Sequence, residues 1–441
     1  MLRALYNLLW LVALPVALLR LVWRARKEPG YVQHVGERLG AYGKLSAAGP
    51  WLWVHAVSVG ETRAAQPLIE ALLSQYPAHR LLLTHMTPTG RQTGAQLFGA
   101  QPRVTQCYLP YDLPWLVRRF LRYFRPAAGM LMETEVWPSL VRGARLEGVP
   151  LLLVNARLSP RSYRRTARFG RAATAMYRDF TEVLAQTQGD AERFRALGLP
   201  SVAVTGNLKF DMQPSEAGLR RGRLLRAGFD GRAVFAATST RDGEEALVLE
   251  AFACWQALAA AAPAAVPRPA LLLVPRHPQR FDEVAALVAR HGFSLQRRSA
   301  LGDAAGWEQS GLPEPVTADV LLGDSMGEMA QYFAASDIAF IGGSLLPLGG
   351  QNLIEACAAG TPVLIGPHTF NFAQATEDAI AAGACRRVAD ADDLMRTAAA
   401  VLGDAPGLAA MRDAARAFSV LHRGATQRTL AALAQVIRAA R

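Results

Sequence analysis

Cysteine is scarce in this chain, and its spacing argues against the zinc sites and disulfide scaffolds that cysteines often build. Four cysteines occur among 441 residues, and no two of them form a C-x-x-C pair. They are Cys107, Cys254, Cys357 and Cys385. Isolated cysteines of this kind favour a reducing compartment. The length is sufficient for two domains that each bury a full hydrophobic core.

Lysine is also infrequent, and the usual nucleic-acid motifs are missing. Arginine nevertheless makes the formal net charge +12, which favours nucleic acid, anionic lipid surfaces or phosphorylated substrates as partners. The sequence contains no zinc finger, no RNP-like aromatic motif and no Walker P-loop. We therefore expect no nucleic-acid partner, and the lipid and phosphate alternatives remain.

One long apolar run, LYNLLWLVALPVALLRLVW, covers residues 5–23 and contains a single charge, Arg20. Its length is close to the ~20 residues that span a bilayer, and no small-residue cleavage site accompanies it. We expect an N-terminal membrane anchor over residues 1–27. The basic residues that follow, Arg24, Arg26 and Lys27, predict that the body faces the cytoplasm. Pro15 and Arg20 leave open a helix that lies on the membrane, although the length favours a spanning one.

Short apolar runs alternate with helical stretches in two halves of the chain. In the first half they cover WLWVHA and residues 80–86, 127–135 and 149–159, and in the second half residues 232–240 and 269–278, followed by three shorter runs. This rhythm predicts two doubly wound α/β domains with parallel sheets, over residues 28–215 and 216–441. In such folds ligands bind at the carboxyl ends of the strands, so we expect a cleft between the domains to carry the site.

Ten motifs that follow these strands resemble those of the 3-deoxy-D-manno-octulosonic acid (Kdo) transferases, and they occur in the order found in that family. They are HAVSVGET, THMTPTG, YLPYDLP, METEVWP, NARLS, TGNLKFD, VPRHPQRF, LGDSMGEM, GGSLLPLGGQNLIEA and GPHTFNF. The resemblance implies a fold of two Rossmann-like domains, called GT-B. It also implies an inverting transferase without metal or cofactor, on the cytoplasmic side of the bacterial inner membrane. The implied donor is CMP-Kdo, and the implied acceptor is lipid IVA, a diphosphorylated, acylated glucosamine disaccharide.

The family match assigns catalytic roles to three residues. An inverting transfer needs one carboxylate to accept the proton of the attacking hydroxyl, and the resemblance gives this role to Glu61. Its place in the first turn of a helix favours the ionised form, and Gly60 lets the backbone approach the acceptor. The alternative is a Glu that only completes a helix start capped by Ser58. The resemblance also pairs Glu133 with Lys209 to support charge in the transition state.

The second half carries the residues that the resemblance places around the nucleotide. They are Pro275, Arg276, Gly327, Glu328, Met329, Asn352, Leu353, Ile354 and Glu355. Arg276 has the geometry to grip a phosphate with two parallel hydrogen bonds. In similar enzymes an acid at the position of Glu355 accepts hydrogen bonds from the ribose hydroxyl groups. His277 is a weak candidate for a catalyst, and no second ligand at metal spacing accompanies it.

This chain departs from the family pattern at four positions in the second half. Gln351 and Leu353 replace the usual His and Pro of a GGHNPLE motif, and Arg241 and Asp242 replace the usual His and Glu of a TSTHEGEE motif. The departures put a specific His role in doubt, but not the overall activity.

Two arginine clusters indicate contact with anionic lipid or with acceptor phosphates, or else form a solvated basic face. Their members are Arg118, Arg119, Arg122, Arg125, Arg157, Arg161, Arg164, Arg165, Arg168 and Arg171. An anchor would bring such residues to the membrane, where each contributes roughly 1 kcal/mol. Two rival functions remain: a transferase that uses a UDP or GDP sugar, and an inactive lipid-binding scaffold. The nucleotide motifs oppose the first, and the retained Glu61, Glu133, Lys209 and Arg276 oppose the second.

Overall fold

Two parallel seven-stranded sheets form the frame of the protein. The computed structural model describes residues 2–26, 28–43, 49–168, 170–199, 201–261 and 268–439. The first sheet contains β1 (Trp51–His55), β2 (Arg80–His85), β3 (Val104–Tyr108), β4 (Pro126–Met132), β5 (Leu151–Ala156), β6 (Glu182–Ala185) and β7 (Val202–Val204). The second contains β8 (Val234–Thr240), β9 (Ala270–Pro275), β10 (Leu295–Arg297), β11 (Val320–Leu322), β12 (Ile338–Ile341), β13 (Val363–Ile365) and β14 (Cys385–Arg387).

Helices connect the strands, as the alternating sequence pattern predicts. In the first half they are α1 (Leu2–Ala25), α2 (Val35–Arg38), α3 (Val59–Ala64), α4 (Gln66–Gln75), α5 (Pro88–Phe98), α6 (Pro114–Phe124), α7 (Pro138–Leu146), α8 (Pro160–Arg168), α9 (Gly170–Tyr177) and α10 (Gln188–Ala196). They continue with α11 (Glu216–Ala227), α12 (Glu244–Ala261), α13 (Phe281–Arg290), α14 (Trp307–Ser310), α15 (Met329–Ala335), α16 (Ile354–Ala359), α17 (Ala373–Ala381), α18 (Ala391–Gly403), α19 (Ala405–Leu421) and α20 (Ala425–Ala439).

The first sheet has the strand order β3-β2-β1-β4-β5-β6-β7, so the winding direction reverses between β1 and β4. Its strands are continuous apolar runs because helices cover both faces of a parallel sheet. In β1, for example, Val54 pairs with Leu83 on one side and with Met130 on the other. The carboxyl ends of β1 and β4 therefore lie side by side at the topological switch point, where such folds bind ligands.

The second sheet has the order β10-β11-β9-β8-β12-β13-β14, and its reversal falls between β8 and β12. Phe235, Phe340 and Leu271, from adjacent strands, are fully buried in the core of this sheet. The predicted fold class, with two doubly wound α/β domains and an N-terminal apolar helix, is confirmed.

The compact units differ from the predicted domains at the C-terminus. The N-terminal unit comprises Met1–Met212 with Arg423–Arg441, and the C-terminal unit comprises Gln213–His422. The sequence pattern predicts one domain over residues 216–441, whereas α20 packs on the N-terminal unit. Leu430 and Leu433 join its core beside Leu68, and the Asp211 carboxylate accepts hydrogen bonds from the backbone at the start of α20. The apolar face of α20 explains the difference, because a sequence pattern does not say which sheet such a face covers.

Candidate active site

Glu61 lies directly beyond β1, in the first turn of α3. Its carboxylate accepts a hydrogen bond of 2.6 Å from the backbone N–H of Val57. Ser58 occupies the helix cap position, but among the described residues its side chain accepts no capping hydrogen bond. The Val57 bond is nevertheless of the kind that a Glu in the first turn makes to the preceding backbone, so Glu61 also helps to fix the start of α3.

The surroundings of Glu61 favour the neutral acid rather than the ionised form that its helix position suggests. Burial, together with the charges of Glu135 and Glu133, raises the pKa of Glu61 to about 8, although the Val57 N–H and Lys209 oppose this shift. α3 has six residues, so its dipole is outweighed by burial and by two neighbouring carboxylates. A carboxylate with a raised pKa is a stronger base once it has lost its proton.

Glu133 and Lys209 form an ion pair at the same edge of the first sheet. The Lys209 Nζ lies 2.9 Å from Oε1 of Glu133, and both side chains are largely shielded from solvent. Glu133 directly follows β4, whereas the sequence predicts that this strand continues to Glu135. The backbone leaves the strand because Glu133 adopts a left-handed conformation with φ +55°. Such a conformation is costly for a non-glycine residue and is often found at functional sites.

Asn155 at the end of β5 holds the ion pair in place, and the sequence analysis did not single it out. Its Oδ1 accepts the backbone N–H of Leu208 at 3.0 Å, which fixes the turn that carries Lys209. Its Nδ2 lies 3.5 Å from Oε1 of Glu133, and its own φ is +54°. Asn155 is fully buried. The motif NARLS contains it, and a polar residue inside an otherwise apolar strand was the available signal.

Glu135 is the third carboxylate of this edge. Its Oε2 accepts a hydrogen bond of 2.7 Å from the indole N–H of Trp137. Burial raises the pKa of Glu135, and the charge of Glu133 adds to this, while the bond from Trp137 opposes it. Glu61, Glu133 and Glu135 thus lie close enough for their charges to interact, while Lys209 pairs with Glu133 and acts on Glu61. A group of neighbouring acids of this kind is suited to proton transfer.

The corresponding edge of the second sheet is organised by a buried carboxylate, Glu244. It accepts backbone hydrogen bonds from Arg241 at 2.9 Å, Gly343 at 2.6 Å and Leu345 at 3.0 Å. These bonds tie the loop after β8 to the loop after β12, on the two sides of the switch point. The neighbouring Glu245 is also buried and pairs with Arg280 at 2.7 Å.

The backbone itself is tightly packed at this edge. A Cβ atom on Gly342 would lie 2.6 Å from the carbonyl oxygen of Ser239 and from the Cα of Thr240. Ser239 has φ +54°, and the pairing of β8 with β9 shifts its register at this residue. Bulges of this kind often occur next to active sites. The loop after β12 therefore has a fixed path that only glycine at position 342 permits.

Basic groups gather where β8 and β9 end. The backbone N–H of Arg276 donates to the carbonyl oxygen of Thr240 at 3.0 Å. Burial lowers the pKa of His277, and the charges of Arg241, Arg276 and Arg280 lower it further. Such a cluster is electrostatically suited to a phosphate group. Asp242 and Glu245 form ion pairs with Arg280, so they hold this arginine in position and neutralise part of the positive charge.

The remaining residues predicted around the nucleotide lie at the end of β9 and in the loops and helix starts that follow β11 and β12, at this same edge. Glu328 is held by Arg298 at 2.8 Å and by the hydroxyl of Ser325. Gly327 precedes it with φ +82°, and Met329 begins α15. The position of Gly327 requires a residue that tolerates a left-handed backbone.

The start of α16 contains the other predicted group. The Asn352 Oδ1 accepts the backbone N–H of Ile354 at 3.1 Å, and its Nδ2 donates to Glu355 at 2.9 Å. Leu353 and Ile354 are buried, and Pro275 lies buried at the end of β9. The side chains of these three residues belong to the core, so only their backbone atoms are placed to face a ligand.

No group of three or more His, Cys, Asp or Glu side chains suited to a metal ion occurs in the part of the chain that the structure describes. Independence from metal stays a prediction that activity measurements must test. Which ligands the named residues contact likewise stays a prediction.

Comparison with known proteins identifies similar sequences over the whole chain. Residues 33–212 match a family described as 3-deoxy-D-manno-octulosonic-acid transferase. The chain is 48% identical over 440 residues to a 3-deoxy-D-manno-octulosonic acid transferase of Bordetella pertussis, covering 98% of this chain and 97% of that protein. A transferase of the same name from Haemophilus influenzae is 36% identical over 433 residues, with 97% of each chain covered.

The fold has relatives among solved structures as well. A glycosyltransferase from Rickettsia africae superposes with a TM-score of 0.57 at 12% identity, covering 89% of this chain and 99% of that one. At this identity the likeness concerns the fold alone, and it agrees with the two doubly wound sheets.

Proposed function

The chain belongs to the 3-deoxy-D-manno-octulosonic acid transferase family, and from this premise we propose that it transfers Kdo from CMP-Kdo to lipid IVA with inversion at the anomeric carbon. The family membership makes it a glycosyltransferase of lipopolysaccharide synthesis. The observation that carries the proposal is the 48% identity to a Kdo transferase over nearly the full length of both chains. The donor, the acceptor and the mechanism are proposed from the individual residues of the site.

We assign the role of general base to Glu61. In the transfer step, an acceptor hydroxyl oxygen forms a bond to the anomeric carbon of Kdo while the bond from that carbon to the phosphate oxygen breaks. CMP departs with the bonding electron pair, and the hydroxyl proton moves to the Glu61 carboxylate. A single displacement of this kind inverts the configuration and requires no covalent intermediate. The raised pKa of Glu61, about 8, supports this role because it makes the ionised carboxylate a better proton acceptor.

The Glu133–Lys209 pair has a supporting electrostatic role. Lys209 is a donor held at 2.9 Å from Glu133, and Asn155 fixes the turn in which it lies. A cation held in position before the reaction stabilises a developing negative charge without reorganisation. The Kdo carboxylate and the departing phosphate are the negative groups of this reaction, and either suits Lys209.

The C-terminal unit is assigned to the nucleotide. The basic cluster around His277 suits the CMP phosphate, and the acid Glu355, positioned by Asn352, suits the ribose hydroxyls. The family motifs in this unit support CMP rather than a UDP or GDP sugar. No part of this assignment requires a metal ion.

Charge and hydropathy support the proposed acceptor and location. Tyr6–Ala25 is long and apolar enough to cross a membrane, as are some core helices and signal sequences. The arginines of α6 and α8 suit anionic inner-membrane lipids and the phosphates of lipid IVA. These features support a protein attached to the cytoplasmic side of the inner membrane.

Transfer by the purified full-length protein tests the proposal. CMP-Kdo is generated in the assay because it is labile, lipid IVA is the acceptor, and the product is read by mass spectrometry with and without excess EDTA. We expect Kdo addition in both conditions and inhibition by CMP. Loss of transfer in EDTA would contradict only the prediction that the reaction needs no metal ion. Transfer from a UDP or GDP sugar, with none from CMP-Kdo, would overturn the donor assignment.

A further inference from the structure

Helix α1 presents two different faces, and one of them is packed on the N-terminal unit. Leu21 is buried against the unit, and the residues that accompany it recur every three or four positions, as one face of a helix does. They are Trp10, Leu14, Ala17 and Leu18, which pack with Leu21 on Tyr111, Leu113 and Leu116. Leu21 is the buried member of this stripe, and the other four residues are partly buried where they pack on the unit.

Polar contacts reinforce the packing at the N-terminal half of α1. The hydroxyl of Tyr6 donates to the Asp112 carboxylate at 2.8 Å, and the side chains of Asn7 and Ser139 lie 3.3 Å apart. Asp112 is itself buried and accepts the backbone N–H groups of Ser139 and Leu140 at the start of α7. Asp112 therefore links α1 to a helix of the folded unit.

The contacts extend along most of α1. Between Tyr6 and Leu21 the helix rises roughly 22 Å at ~1.5 Å per residue, and at its far end Arg24 donates to the Tyr31 hydroxyl at 3.2 Å. A helix that crosses a hydrocarbon core of ~30 Å needs all of this length, and more, for lipid. To span, α1 would have to abandon these contacts or bring the buried Asp112 into the bilayer, and both are costly.

The opposite face of α1 is apolar and exposed. Its members are Leu8, Leu9, Leu11, Val12, Val16, Leu19, Val22 and Trp23, with exposed fractions between 48% and 69%. A contiguous apolar surface of this kind marks an interaction site rather than a water-facing one. Arg20 of this helix and Arg26, directly after its end, are exposed. Trp115, next to the packing residue Leu116, is 51% exposed, and tryptophan favours the membrane–water interface.

We propose that α1 lies in the plane of the membrane interface, with its outer face in the lipid, its inner face still packed on the N-terminal unit, and anionic phospholipid headgroups around its arginines. This proposal rests on the membrane attachment proposed above and specifies its geometry. It differs from the spanning anchor that the length of the apolar run favours. The whole N-terminal unit then sits at a fixed height on the membrane, because α1 is part of its core rather than a flexible tether.

Depth measurements along α1 distinguish the two geometries. Single cysteines at Leu9, Val16 and Trp23, in full-length protein carrying Cys254→Ser, receive an environment-sensitive fluorophore. The protein is bound to vesicles of phosphatidylethanolamine and phosphatidylglycerol that contain nitroxide lipids at shallow or deep positions. An in-plane helix predicts equal, shallow depths at all three sites, about 5–10 Å into the interface. A deepest reading at Val16 with shallow ends would overturn the in-plane geometry and leave membrane attachment intact.

A matched pair of substitutions tests the outer face. Leu19→Asp should weaken vesicle binding by about tenfold or more, as expected for a charge on an inserted face. Leu421→Asp, at a 79% exposed position of the C-terminal unit, should leave binding unchanged. Equal effects of the two substitutions, or no vesicle binding by the parent protein, would overturn the proposal. Kdo transfer to detergent-dispersed acceptor, measured on the same proteins, reports separately on the proposed function.

Discussion

The two sheets share a topology, but the acidic residues at their carboxyl edges have different partners. At the first edge, Glu61 and Glu135 have raised pKa values because they are buried near a further carboxylate, Glu133. At the second edge, Glu244 accepts three backbone hydrogen bonds and Glu245 is paired with Arg280. Burial raises the pKa of Glu245 as well, so the two edges differ chiefly in their contacts. Glu244 ties two loops together through backbone N–H groups, whereas the pKa of Glu61 is raised by burial and by neighbouring carboxylates. The difference supports proton chemistry in the N-terminal unit and nucleotide binding in the C-terminal unit.

The largest effect should come from removing the proton acceptor. Glu61→Gln keeps the size and the hydrogen bond from Val57, but a neutral amide does not accept the hydroxyl proton. We expect kcat to fall about 1000-fold, within the ~10²–10⁴ range of general-base contributions, while CMP binding is unchanged. Glu70→Gln, at an exposed position of α4, is the matched control and should behave as wild type. A near-normal kcat in Glu61→Gln would show that Glu61, at the first edge, does not accept the proton.

The next effect should come from the cation at the first edge. Lys209→Met leaves Glu133 buried without its partner and removes the charge that we propose stabilises the transition state, so we expect kcat to fall about 100-fold. The double variant Glu133→Gln/Lys209→Met tests the coupling, because residues that act as a unit give non-additive losses. Additive losses in transfer assays would show that the two residues work independently.

A smaller effect should follow from crowding the second edge. Gly342→Ala places a methyl group against Ser239 and Thr240, and overpacking of this kind costs ~1–3 kcal/mol. Because the loop after β12 must shift, we expect CMP affinity to fall about tenfold in titration calorimetry. Gly403→Ala meets nothing within 4 Å and provides the control. A loss of kcat with normal CMP affinity would contradict the division between the two edges.

The smallest effect should be a change in pH dependence. Glu135→Gln removes a charge that raises the pKa of Glu61, while the amide oxygen still accepts the Trp137 N–H. Activity that needs ionised Glu61 is lost as the pH falls through its pKa, so a lower pKa moves this limb to lower pH. At pH 7 we expect about 2–5-fold faster transfer under kcat/KM conditions, because more enzyme is in the basic form. A limb that stays in place or moves to higher pH would show that Glu135 does not act on Glu61.

The sequence predicted the convergence of Glu61 and Glu133, because both follow strands that a doubly wound sheet brings together. It did not predict Asn155, whose role depends on a left-handed backbone that local propensity does not reveal. The expected ionised state of Glu61 was also wrong in direction, since helix position is visible in a sequence while burial is not. The packing of α20 on the N-terminal unit and the inner face of α1 were missed for the same reason. Both depend on which surface an apolar face meets.

The pH dependence of kcat/KM for Kdo transfer, measured in wild type beside Glu61→Gln, shows most directly whether Glu61 is the base. We expect wild-type activity to rise with pH along a limb whose apparent pKa lies near that of Glu61, about 8, and we expect this limb to be absent in Glu61→Gln. The same limb in both enzymes, or a wild-type rate that is flat across this range, would contradict the assignment of Glu61 as the base.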